Sequence, residues 1–156
     1  MQYSTLDIFD LARSNKANEL KSILNSVNVN MRDESGATLL LIAAYHNNTD
    51  AVKVLLEAGA NPDLQDSMGN TALMGISFKG YVETAQLLLD YKATVDLANN
   101  TGATALIFAA TFGQTALVKL LIDYGANKML RDRSGKSPAN YARDNGKTEV
   151  LQLLES

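Results

Sequence analysis

The chain contains no cysteine, so it has no disulfide framework and no thiolate for catalysis or metal binding. It has a single histidine, His46, which excludes a multi-histidine metal cluster and leaves one candidate general base. Such a base needs an adjacent nucleophile and an orienting acid. The neighbours of His46 in sequence are Tyr45 and Asn47, and no Gly-x-Ser-x-Gly elbow occurs in the chain. A glycine pattern able to cradle phosphate is also missing. Asp63, Asp66, Asp96 and Asp132 lack the dense alternation of a calcium loop and read as turn formers. The net charge is only −3, which gives no footprint for nucleic acid. No apolar run is long enough to span a bilayer, and the longest, near Ala103–Thr111, is interrupted by Thr104. The start, MQYSTLDIFDLARSNK, has no basic segment followed by an apolar stretch, so no signal peptide is expected. With the missing cysteines this suits a cytoplasmic protein, although a mature secreted form numbered from one would look the same. Two glycosylation-type triplets, Asn47-Asn48-Thr49 and Asn99-Asn100-Thr101, read as chance matches in an Asn-rich chain. The expectation is therefore no catalytic residue, no cofactor and no metal.

What is present is a repeat. Asp66–Ala98 can be laid on Asp33–Gln65 and on Asn99–Arg131, and a truncated copy follows from Asp132. Gly36, Gly69, Gly102 and Gly135 stand in a strict 33-residue register. Asp33, Asp66, Asn99 and Asp132 precede them in the same register. A fixed period of this length marks a stacked solenoid. Thr38, Thr71 and Thr104 sit before apolar runs, as N-caps of short helices. Leu40, Ala43 and Ala44 fall on one helical face. Asn47, Gly80, Gly113 and Gly146 stop these helices, because Gly and Asn tolerate a left-handed backbone. A second helix follows in each copy, burying Val52, Leu55 and Leu56, then Ala85, Leu88 and Leu89. Gly59 and Gly125 end it, but Lys92 stands at the matching place and predicts local strain or a shifted turn. Gly69 makes a tight turn between two short extended segments. Residues 5–25 are an altered first copy: Ser4 and Asp7 form a capping box, and Ile8, Leu11, Ala12, Leu20, Ile23 and Leu24 face inward. Asp7, Asp10, Arg13 and Lys16 leave its outer side polar. At the other end Asn140, Arg143 and Asp144 give a wettable closing face.

The segments Thr38–Ala44 and Thr104–Ala110, with Gly59-Ala60-Asn61 and Glu83–Leu89, resemble the ankyrin repeat over nearly the whole chain. The motif histidine is replaced by Leu41, Met74, Ile107 and Asn140, and the motif proline survives only as Pro138. The resemblance implies an all-α ankyrin-repeat solenoid of helix-turn-helix units with short β-hairpin-like loops. One domain is expected over 1–156, with a capping repeat at 1–32, full repeats at 33–65, 66–98 and 99–131, and a second cap at 132–156.

Differences between the copies point to function. The variable positions are the pair after the turn residue, the residue after the glycine, and the pair ending the first helix. That last pair reads Tyr45-His46, Phe78-Lys79, Thr111-Phe112 and Asp144-Asn145. The resemblance implies that these positions line a concave face and its loop tips. Tyr45, Phe78 and Phe112 would then place one aromatic per repeat on one surface, with Met68 nearby; alternatively the rings tuck between first helices as core. Lys128, Arg131, Arg133 and Lys136 form a basic patch suited to an acidic partner, or a solvated loop. The expected function is non-enzymatic binding of another protein through Tyr45, His46, Met68, Phe78, Lys79, Thr111, Phe112, Arg131 and Arg133. The chain is expected to be a monomer that inhibits or protects a partner enzyme. The competing expectation is a small-ligand binder or enzyme with a pocket near His46 and Tyr45.

Overall fold

The first helix of every repeat starts where a hydroxyl side chain accepts an otherwise free backbone N–H. In the computed structural model, which describes residues 3–156, Ser4 caps α1 (Thr5–Arg13), with Asp7 returning a bond to the Ser4 N–H. Residues 1–2 of the expected first cap lie outside the described residues. Thr38, Thr71, Thr104 and Ser137 do the same for α3 (Leu39–Tyr45), α5 (Ala72–Lys79), α7 (Ala105–Thr111) and α9 (Pro138–Asp144). The second helices are α2 (Ala17–Ile23), α4 (Thr49–Glu57), α6 (Val82–Asp90), α8 (Thr115–Asp123) and α10 (Thr148–Glu155). None of these five is capped by the side chain of its own N-cap residue, although the Asn15 side chain accepts the Ala51 N–H in the first turn of α4.

Helices this short are not stable alone, so packing decides. The first helices contact one another in sequence order, α1 to α9, and the second helices form a parallel layer, α2 to α10. The fold is an all-α solenoid: no strand occurs among the described residues, only an isolated antiparallel bridge between Arg32 and Thr38. Between the layers lie Leu55, Leu88 and Leu121, one per repeat and fully buried, with Ala43, Ala44, Ala109 and Ala110 allowing close helix approach. Phe9, also buried, joins Ile8 in the first repeat, where the sequence pattern did not single it out.

The loops explain the repeated acidic position. In each, the Asp33, Asp66, Asn99 or Asp132 Oδ1 accepts the backbone N–H two and four residues on. The hairpin-like turn then closes with bonds such as Asp66 N–H to Asn70 O and Gly69 N–H to Asp66 O. Gly69 is needed twice over. Its φ is +81°, and an added Cβ would lie 2.7 Å from the Asn100 backbone nitrogen of the next loop.

Three expectations are refined by the structure. Asp63 and Asp96 lie in turns, as expected, but they are also staples between repeats. Asp63 accepts from the Thr94 N–H at 2.7 Å, and Asp96 from the Asn127 N–H at 3.0 Å. Asn140 is no simple outward polar group, because its Oδ1 takes the Ser137 N–H and an Arg131 N–H. Of the two alternatives at Lys92, the structure shows local strain and not a shifted turn. Lys92 N–H bonds to Leu89 O and Ala93 N–H to Leu88 O, the pattern that Gly59 and Gly125 also make, and Lys92 holds φ +71° within it.

Candidate functional site

The ends of the first helices, where the copies differ most, bring several side chains onto one face. Tyr45, Phe78 and Phe112 are 49%, 38% and 46% exposed, so the rings are not enclosed in the core. They do not form a uniform stripe. Phe78 and Phe112 meet edge-to-face with centroids 4.6 Å apart, an arrangement their ring quadrupoles favour. Phe112 sits one position later in its helix than Phe78 does, which is what lets it reach back across the repeat boundary. Tyr45 instead carries the Lys79 ammonium 4.7 Å over its ring and has His46 at its edge.

The other expected contact residues fall into different situations. Met68 projects from a loop tip, well exposed, with its backbone tied to Asp66 and Asn100. Thr111 is half-buried, and its hydroxyl donates back to Ile107 O at 2.7 Å. Arg131 is exposed but committed: its guanidinium donates to Gly135 O at 2.8 Å and to Asn140 Oδ1 at 3.1 Å. Arg32 and Gln65, in the same register, likewise brace their own loop and reach the next. This bracing role was legible as a donor recurring at 32, 65 and 131. Lys136 pairs with Asp144 at 3.0 Å, a bond that holds the ammonium pKa above its ordinary value. Lys128 donates to Ser156 O. The basic patch is thus largely engaged within the chain, and Arg133 is exposed.

Beside Tyr45 the face is indented by a cleft of about 230 Å³, between α3 and α5. Ala37, Leu41, Ile42, Tyr45 and Ala72 supply its apolar walls, and Gly75 stands where the other repeats carry Ile42, Phe108 and Tyr141. Its polar lining is already bonded. His46 Nδ1–H donates to Ile42 O at 2.9 Å, Asp66 Oδ1 accepts two backbone N–H groups, and Asn70 Oδ1 accepts from Asn99 Nδ2. Thr71 Oγ1 caps α5.

The His46 ring makes no bond to a nucleophile or carboxylate among the described residues. No group of acidic or imidazole side chains able to hold a metal occurs among them either.

Capped first helices, left-handed helix ends, alanine-lined stacking and hairpin loops recur here in one 33-residue register. A family model described as ankyrin repeats (3 copies) matches residues 8–99 and again residues 76–156. The chain belongs to the ankyrin-repeat family. Ankyrin repeats are generally protein–protein interaction modules and typically not enzymes. No curated protein matches this ankyrin-repeat chain. No helix among the described residues is long and apolar enough to cross a membrane.

Proposed function

We propose that this ankyrin-repeat protein binds a partner protein through its concave first-helix face and loop tips and carries out no chemistry itself. The observation that supports this most is the exposure of Tyr45, Phe78 and Phe112 on one face of a family that generally binds proteins. Aromatic anchors of this kind dominate interface energetics. The array, read as a single domain over 1–156 with capping repeats at 1–32 and 132–156, offers room for an interface of about 800 Å². A partner enzyme covered in this way is inhibited or protected. An enzyme or small-ligand reading is disfavoured, because the cleft beside His46 is smaller than the roughly 300–1,000 Å³ usual for ligand sites.

The test is affinity purification from the source cell, followed by titration of the purified partner against three variants. Phe78→Ala is expected to weaken binding by about 2 kcal/mol or more. Tyr45→Ala and Phe112→Ala should weaken it less. A partner whose affinity survives all three substitutions, but falls on changing Tyr91 or Tyr124 of the second-helix side, would overturn the assignment of the face. The partner enzyme's activity with and without the chain distinguishes covering its site from holding it elsewhere.

A further inference from the structure

Gly75 is the one glycine of the chain whose backbone does not ask for a glycine. All nine others hold φ between +68° and +91°, whereas Gly75 lies inside α5 with an ordinary helical backbone. Packing does not ask for it either. An added Cβ would meet only Tyr45 Cδ2, at 3.6 Å, which is ordinary van der Waals contact. Glycine in a helix interior is less favourable than alanine. What the missing side chain does is leave the cleft against Leu41, Ile42 and Tyr45 open, where Ile42, Phe108 and Tyr141 occupy the register in the other repeats.

We propose that the Gly75 cleft is the anchor pocket of the binding face, and that it takes one apolar side chain from a partner polypeptide in which a carboxylate lies next to that anchor. The proposal rests on the binding face described above and specifies what it recognises. The apolar part follows from the walls and from the polar lining, whose Asp66 Oδ1, Asn70 Oδ1, Thr71 Oγ1 and His46 Nδ1 atoms already bond within the chain. An occupant therefore needs no deep hydrogen bonds, and a polar one would lose its own. The carboxylate follows from Lys79. Its ammonium stands over the ring of Tyr45, a residue that lines the cleft, and pairs with no carboxylate among the described residues. A polypeptide is favoured over a free small molecule because Tyr45 both lines the cleft and is exposed on the face that also carries Lys79 and Phe78, a surface that a small molecule would leave uncovered.

The experiment selects a random linear peptide library, displayed on phage, against the full chain. Retained peptides should share an aliphatic or aromatic residue within a position or two of Asp or Glu. For a synthesised member of that set, Gly75→Ile should weaken binding about 30-fold, the factor for loss of one anchor. Gly75→Ala, which leaves most of the cleft, should change it little. Lys79→Glu should weaken it about threefold and erase the acidic preference. Thermal melts show whether each variant folds, and Ile42 shows that isoleucine fits this register. Peptides that survive Gly75→Ile but are lost on Phe78→Ala overturn the pocket and leave the face standing. Peptides insensitive to both overturn the pocket and the face together. Retention of no peptide overturns the pocket. So does equally tight binding of a free apolar probe such as phenol, which would make the cleft a small-molecule site.

Discussion

At the scale of single residues, two positions pull against the fold. Lys92 holds φ +71° in a turn whose hydrogen bonds match those at Gly59 and Gly125. Around those two glycines there is open space, so φ alone selects glycine there. Lys92→Gly is expected to stabilise by roughly 0.5–1 kcal/mol, read as a higher unfolding midpoint; a loss would mean the lysine stem makes contacts worth more than the strain. Ser77 is the second. It is fully buried in α5 where Ala44 and Ala110 occupy the same register, and its Oγ is the one buried side-chain polar atom without a partner among the described residues. Ser77→Ala should stabilise by about 1–2 kcal/mol in denaturant titration, because it removes an unpaired hydroxyl at no loss of volume. The Lys92 strain was legible in the sequence, since a Cβ stood where the other copies have none. Ser77 was not: serine in an alanine register reads as a small residue, and only burial reveals the orphaned hydroxyl.

At the scale of the element, the four loops are one device built with two chemistries. Asp33 and Asp132 accept the same backbone N–H groups as Asn99, but they titrate. Burial alone would push the Asp33 carboxyl up; the bonds from Ser35 and the Ala37 backbone outweigh it and hold the pKa below its ordinary value. At Asp132 burial is likewise outweighed, by bonds from Ser134, Tyr141 and the Lys136 backbone. A carboxylate whose pKa is lower folded than unfolded contributes stability above its unfolded value of 3.8 and loses it as pH falls through the lower folded value. The double variant Asp33→Asn, Asp132→Asn copies the Asn99 solution. It should be somewhat less stable at neutral pH, yet lose less stability than wild type between pH 7 and the acid range, as followed by urea titration along a pH series. Equal acid sensitivity in both proteins would place the titrating groups elsewhere. The repeat register made these loops legible, down to the glycine in each. The staples were not: Asp63 and Asp96 look like turn residues in one dimension, and their partners Thr94 and Asn127 lie 31 residues away. The candidate site divides in the same way. Exposure of the aromatics followed from their variability, whereas the Phe78–Phe112 pair and the Gly75 cleft depend on contacts between repeats that no single repeat displays.

At the scale of the whole molecule, each repeat touches only its neighbours, so stability is distributed along one axis. A change at an end and a change in the middle should then have different reach even when they are equal in size. The capping box of Ser4 and Asp7 belongs to α1, which packs chiefly on α2 and α3. Ser4→Ala removes the acceptor for the Asp7 N–H and should cost about 1 kcal/mol. The helices at the far end do not depend on that contact, so the loss should appear as faster amide exchange in α1 and α2, with α7 to α10 unchanged. Ser77 lies in α5, which packs on α3, α6 and α7 and so joins the two halves of the array. Strengthening it by Ser77→Ala should slow exchange on both sides of the centre, from α3 through α8, because opening either half exposes the α5 interface. Native-state hydrogen exchange read by mass spectrometry on the two variants separates these patterns. Uniformly faster exchange from α1 to α10 in Ser4→Ala would show that the array unfolds as a single unit, with coupling between repeats strong enough to hide its linear construction. A slowing confined to α5 in Ser77→Ala would show the opposite, repeats that open nearly independently. The expected result lies between them, and it bears on binding, because the Gly75 cleft and the Phe78–Phe112 pair both require neighbouring first helices to stay docked.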